Sequence, residues 1–355
     1  MKTDKGIVQL QTDVMDSLNA TIAFQYGVQI DPTIVSRIPF DSPMLDFLES
    51  RGAPLQRPDL AATFGLLTSA DFTASQRGSF PVGGDPPHID IARSLMSIPK
   101  KSYGAAGGVK DVNRLASTMG LTPHQLAVLG MEGRFRDDAA LLVNLLYVRT
   151  RESIDYGIVK GDALLYPTDF DGLETQVIAA NGSQILDAAG STDIKGYLND
   201  LIVQMLMLGL QPTALACNPL FKEAILSNYG SGVQVIVNSG DPNVAVGWHG
   251  GSVVTPAGTL PIITDRRFTV TGAAPTFTGD VFVVVDMMAG ERILYPEWQV
   301  LPVALDLARV PGFYTSQFFA VWSHLTLVEK SGWYAQGRVL DLCSTFRGTV
   351  PTKLP

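Results

Sequence analysis

The sequence predicts an α+β protein, and three observations carry that prediction. One segment, from Thr122 onward, has the strongest helical pattern in the chain, whereas the last third is a succession of strand-like runs. Helical and strand patterns are mixed without the strict βαβ alternation of a doubly wound sheet. The chain's 34 Gly and 22 Pro call for many turns and long connections between elements. At 355 residues it exceeds one ordinary core, so two domains or one elaborated domain are expected.

Residues 1–60 combine short apolar clusters with Pro32, Pro39, Pro43, Pro54 and Pro58. Proline fixes its own backbone angle and biases the preceding residue towards extended conformations. Apart from a short helix near Val14–Phe24, the region therefore reads as an extended arm. Its apolar residues, from Ile30 through Phe40 to Leu48, need a surface to lie on, and a neighbouring chain could supply it. Thr63–Thr68 and Ile89–Ser102 are strand-like limbs around the Gly/Pro-rich tip RGSFPVGGDPPH, a pattern for a long two-stranded loop. Such loops are usually functional.

Thr122-Pro123-His124-Gln125 is a capping box with proline at the first helical position. Leu126, Leu129, Phe135, Ala139, Leu142, Leu145, Leu146 and Ile154 then recur near helical period. A helix persisting to Ile158 would be about 50 Å long at ~1.5 Å per residue. Ser191–Leu208 is a second amphipathic helix, with Ile194, Leu198, Leu201, Ile202 and Met205 on one face and Gly209 placed to end it. Thr213–Cys217 is a buried strand, and Asn218-Pro219 caps a helix that Gly230 closes. Strands are expected at Val233–Val237, Leu260–Thr264, Arg267–Val270 and Asp280–Asp286. Ile293–Val303 and Gln317–Leu342 continue the strand-rich tail, with a turn at Glu329–Gly332.

Bulk composition narrows the function classes. Hydrophobic residues at 46% and charged residues at 17% describe a globular chain. A formal charge of −8 argues against gripping nucleic acid through a basic surface, though not against enclosing it. Cys217 and Cys343 give neither zinc spacing nor a disulfide framework, as in a reducing cytoplasm. Charges near Met1 argue against a signal peptide, and no apolar run reaches the ~18 residues of a spanning helix.

The search for chemistry begins at Lys160–Glu174, where Asp162, Asp169, Asp171 and Glu174 follow Asp155 closely. Calcium loops need oxygen ligands at set offsets, which this stretch lacks, so a capped turn is the better reading. His88, His124, His249 and His324 form no metal-binding pair. His249, in Gly247-Trp-His-Gly-Gly251, is best read as a loop residue. Gly104-Ala-Ala-Gly-Gly-Val109 is not a dinucleotide fingerprint, and neither a phosphate loop nor a nucleophile elbow occurs. Cys217 reads as a small buried residue. The aromatic run Phe313, Tyr314, Phe318, Phe319, Trp322 lacks interleaved cations and reads as sheet core rather than a base-stacking platform. No catalytic residue, cofactor or metal is expected.

The order of arm, long loop, long helix, compact mixed domain and strand-rich return resembles the major capsid proteins of tailed bacteriophages, the Hong Kong 97-like fold. The resemblance runs through Asp169-Phe-Asp-Gly-Leu173, Gly209-Leu-Gln-Pro212, Ala214–Cys217 with Asn218-Pro219, Gly258–Thr264 and Gly279–Val285. It implies an N-terminal arm (1–61), an extended β-hairpin loop (62–108), a peripheral domain with a spine helix (109–170), an axial domain (171–290) and return strands of the peripheral domain (291–355). The implied function is a structural subunit of an icosahedral virion shell, made in the host cytoplasm and enclosing DNA. Its partners would be other copies of itself in hexamers and pentamers, with portal, scaffold and decoration proteins. Ile38, Phe40, Phe72, Arg77, Phe80, Lys100 and Lys101 are the candidate subunit contacts. Some members crosslink through a loop lysine, and the tip Arg77–His88 has none, so no crosslink is expected. An encapsulin-type nanocompartment resembles the same fold, and a soluble α+β enzyme with its site at 155–174 or His249 is the remaining alternative.

Overall fold

The computed structural model describes residues 41–72, 89–110, 138–179, 184–230, 251–273, 275–288, 290–310, 316–330 and 336–345. Pro43 opens the first helix, α1 (Pro43–Ser50), at a position where its missing N–H costs nothing. The two-residue strand β1 (Leu55–Gln56) precedes three long strands, β2 (Ala61–Phe72), β3 (Ile89–Pro99) and β4 (Lys101–Lys110). The long helix α2 (Asp138–Lys160), α3 (Leu173–Ala179), β5 (Ile185–Asp187), α4 (Ile194–Met207), β6 (Ala214–Cys217) and α5 (Pro219–Gly230) follow. Strands β7 (Ser252–Thr255), β8 (Gly258–Thr264), β9 (Val270–Ala273), β10 (Thr276–Val284), β11 (Met287–Met288) and β12 (Glu291–Arg292) come next. Three long strands end the chain, β13 (Leu294–Val310), β14 (Ser316–Glu329) and β15 (Gly337–Thr345).

Strand β6, apolar throughout, and strand β10, apolar from Val281 to Val284, need cover on both faces. They lie inside a sheet ordered β5-β15-β10-β6-β8-β7, with β9 added beside β10. Alternation divides their side chains. Leu215, Cys217, Val281, Val283, Val339 and Leu342 meet α4 and α5, forming one core with Leu198, Leu201, Met205 and Phe221. Ala214, Ala216, Phe282 and Val284 face the other way and pack with Met44, Leu45, Ile154, Ile158 and Trp298. Helix α4 turns the expected Ile194, Leu198, Leu201, Ile202 and Met205 inward. Asp193 caps it by accepting from the Gly196 N–H at 2.9 Å, and Gly209 ends it at φ +81.

A second sheet runs β1-β13-β14-β4. Helix α2 covers one of its faces, where Leu142 and Leu146 pack on Phe319 and Val321. Among the described residues, strands β2 and β3 pair only with each other, from Ala61 opposite Pro99 to Phe72 opposite Ile89, with an irregularity at Thr68. At ~3.3 Å per residue this hairpin is about 40 Å long.

The structure corrects the expected arm at its end. Pro43–Ser50 is a helix whose Met44, Leu45 and Leu48 are buried in the chain's own core, because Pro43 starts a helix instead of preventing one. Residues 101–108, expected within the extended loop (62–108), belong to β4, which pairs along β14. The turn at 265–268 occupies the start of the strand expected at Arg267–Val270, and β9 begins only at Val270. The run 317–342 is two strands, β14 and β15, that belong to different sheets. The long helix ends at Lys160, and its expected first half, like the strand at 233–237 and the helix at 14–24, lies outside the described residues.

Where α2 ends, backbone meets backbone. The Gly172 N–H donates to Gly161 O at 2.8 Å, and a Cβ on Gly172 would lie 2.5 Å from Gly157 O and 2.6 Å from Gly161 N. Gly172→Ala should therefore cost about 1–3 kcal/mol in thermal or denaturant unfolding, the range for overpacking. Gly65→Ala, where a Cβ meets nothing within 4 Å, should change stability little.

Candidate assembly surfaces

The acidic stretch after α2 is a turn whose carboxylates are spent on hydrogen bonds. Asp162 Oδ1 accepts from the Leu164 and Leu165 N–H groups at 2.9 and 3.0 Å, and Asp171 Oδ1 accepts from Ala163 N–H at 2.9 Å. Asp169 Oδ1 accepts from the Tyr103 hydroxyl at 3.1 Å, and Lys101 Nζ donates to Pro167 O at 2.5 Å, so β4 holds the turn from the side. Burial first, and then the Asp169 charge, raise the Tyr103 hydroxyl above its ordinary range and keep it a donor. Glu174 accepts from Thr269 N–H at 3.2 Å and Thr269 Oγ1 at 3.3 Å, tying α3 to the start of β9. This geometry presents Leu164, Leu165 and Tyr166 to solvent, 91%, 70% and 63% exposed.

Asp155 is different: it is wholly buried and belongs to a joint between three elements. Its Oδ1 accepts from the Leu45 N–H of α1 at 2.7 Å, and its Oδ2 accepts from Arg267 Nη1 at 2.5 Å. Arg267 also donates to Asp265 Oδ1 at 3.1 Å and to Asp41 O at 2.9 Å. Asp265 folds the 265–268 turn by accepting from the Arg267 N–H at 2.9 Å. Asn218 pins that turn to the start of α5, donating to Phe268 O at 3.0 Å while its Oδ1 accepts from Leu220 N–H at 3.2 Å. Outside the joint, Arg266 donates to Glu152 Oε1 at 3.0 Å, and Arg151 reaches Asp46 at 2.6 Å and Glu49 at 2.8 Å.

Two buried carboxylates thus share one arginine. Burial first, and then the hydrogen bond and charge of Asp265, push Asp155 up to about 8, while Leu45 N–H and Arg267 pull the other way.

Two sequence motifs meet on the second sheet. Phe318, Ala320 and Trp322 of β14 pair with Gly108, Ala106 and Gly104 of β4, and a Cβ on Gly108 would strike the Phe318 ring at 2.7 Å. Residues 318–322 of the aromatic run are cross-strand partners of the glycine-rich run, and the Phe318 ring fills the space beside Gly108. Val303 and Leu305 of β13 join the same face opposite Trp322 and Ala320. This is the face away from α2, and Val303, Leu305 and Phe318 remain exposed on it.

Of the candidate contact residues, Lys100 is turned inward. Its side chain is fully buried, 3.1 Å from Glu297 Oε1, and donates to Arg57 O at 3.0 Å, so its charge is used within the chain. Lys101 is half-buried and holds Pro167. Phe72 ends β2, and Ile38, Phe40, Arg77 and Phe80 lie outside the described residues, as do His88, His124 and His249. His324 pairs through Nδ1 with Gln299, and burial lowers its affinity for a proton. Cys217 is buried and its thiol is pushed up to about 12, as expected of a core residue.

The joint gives two predictions. Removing Arg267, only 9% exposed, as Arg267→Met should cost about 3–5 kcal/mol by stranding buried carboxylates. Arg266→Met, at 34% exposure, should cost about 0–1 kcal/mol in the same unfolding assay. Because the folded Asp155 value lies above the unfolded carboxylate value of about 4, its contribution is full below pH ~4 and is lost as pH rises through about 8. Asp265→Asn keeps the acceptor for Arg267 and removes the competing charge. Melting curves from pH 5 to 9 should show the variant losing less stability than the wild type.

No protein-family model and no curated protein matches the chain. Solved structures do. A cyanophage A-1(L) capsid chain superposes with TM-score 0.61 at 11% identity, over 88% of this chain and 96% of that one. The capsid of a native GTA particle gives TM-score 0.55 at 13% identity, over 91% and 98%. The SrpI encapsulin of Synechococcus elongatus gives TM-score 0.54 at 11% identity, over 94% and 98%. Helices, hairpin and both sheets together have the architecture of these shell proteins: the chain has the Hong Kong 97-like fold.

Proposed function

We propose that this chain is a major capsid protein, many copies of which close into the icosahedral head of a tailed phage around double-stranded DNA. The observation that carries the reading is likeness over nearly the whole chain, 88% of it against 96% of the cyanophage capsid chain, rather than over one shared motif. In this reading α2 is the spine helix and β2–β3 the extended loop. The sheet under α2 is the peripheral domain, and the seven-stranded sheet is the axial domain.

Three physical features support it. The hairpin pairs with no other strand among the described residues, as an element that reaches a neighbour requires. Apolar Val303, Leu305 and Phe318 are exposed on the sheet face opposite α2. The charge of −8 suits a wall that encloses nucleic acid without sequence-specific binding. Portal, scaffold and decoration proteins would be its partners, and the head its location after synthesis in the host cytoplasm. Its role would be structural rather than enzymatic, without cofactor.

An encapsulin is also among the similar solved structures, so a cargo shell is the second reading. Electron microscopy of the purified chain, or of particles containing it, tests both. Closed shells with double-stranded DNA support the capsid reading; shells holding a protein cargo and no DNA support the second. A protein that stays a small monomer under every condition refutes both. Particle protein should run as a single subunit band on a denaturing gel, and a covalent ladder would refute the expected absence of crosslinks.

A further inference from the structure

The turn between α2 and α3 spends its carboxylates on rigidity, and what it makes rigid is an apolar knuckle. Asp162 fixes the Leu164 and Leu165 amides, Asp171 fixes Ala163, and the Tyr166 N–H donates to Asp162 O at 2.8 Å. Asp169 N–H donates to Tyr166 O at 2.8 Å, and Tyr103 and Lys101 brace the far side. Three consecutive large apolar side chains are thereby held out in water at 91%, 70% and 63% exposure. Packing among the described residues does not account for them. A flexible loop could fold these side chains back onto the surface, but the bonded backbone holds them away from it.

We infer that Leu164, Leu165 and Tyr166 dock onto a second copy of this chain, as a contact repeated around the shell; the inference rests on the shell reading above. The size of the patch selects the occupant. Three side chains present on the order of a few hundred Å², far below the ~1,200–2,000 Å² that a stable two-body interface buries. Such a contact is too small to hold a lone partner. It suffices when every copy carries it and other contacts in a closed ring raise the effective concentration. The rim selects as well: Asp162, Asp169 and Asp171, against the single Lys101 ammonium on Pro167 O, leave the hydrogen-bonded turn net negative, which disfavours an anionic membrane surface or nucleic acid.

Hydroxyl-radical footprinting of wild-type protein, before and after assembly, reads the contact directly. Leu164, Leu165 and Tyr166 should be labelled rapidly in dissociated subunits and several-fold more slowly in shells. A protection below twofold in intact shells overturns the knuckle contact and leaves the shell reading in place. The double variant Leu164→Glu/Leu165→Glu is the second arm. It should fold with an unchanged melting temperature and lower the assembled fraction at least tenfold in sedimentation. Variant shells that form as readily as wild type overturn the inference; a wild-type chain that never associates overturns both it and the shell reading.

Discussion

The arrangement of the molecule depends on one arginine between two buried carboxylates. Arg267 reaches Asp155 on the long helix, Asp265 in its own turn and the backbone of Asp41 at the root of the first helix. Each of these elements carries apolar side chains into the same core, beside Trp298 and Phe282. That core cannot close unless the three backbones approach within a few ångströms, and the charges are what remain in the gap when they do. Buried ion pairs of this kind contribute less to net stability than to register, since hydrophobic replacements can be as stable. Here the pair fixes which part of the helix faces the turn and where the first helix starts.

Much of the fold was legible in the sequence, for physical reasons that can be named. The α4 face was readable because Ile194, Leu198, Leu201, Ile202 and Met205 repeat at helical spacing and nothing in tertiary structure overrides them. The buried strand and capped helix at 214–230 were readable from a continuous apolar run followed by Asn-Pro. The first helix was hidden because proline marks a helix start and an extended arm equally well, and only the buried Met44, Leu45 and Leu48 distinguish them. Nor could local pattern show that β14 and β15 enter different sheets. That division is set by partners distant in sequence, β4 for the one and β10 for the other.

The acidic stretch is legible as a turn, but proximity in sequence alone groups Asp155 with it. Seven residues separate it from Asp162, two turns of helix back, which carries it from the solvent into the core. Its partner, Arg267, is more than a hundred residues away, and no spacing rule links the two. The glycine-rich run of β4 and the aromatic run of β14 were likewise seen separately. Their meaning is their pairing: the Phe318 ring of one strand occupies the room that Gly108 leaves on the next.

The turn after the long helix separates two kinds of inheritance. Its shape is written in Asp162, Asp169, Asp171 and the glycines that let backbones touch, whereas its outward surface is written in Leu164, Leu165 and Tyr166. Residues of the first kind are constrained by folding of the single chain. Those of the second touch no core and can change without cost to the fold, provided that whatever meets them changes in step. A lineage can therefore exchange one set of complementary surfaces for another while the scaffold that displays them keeps its geometry.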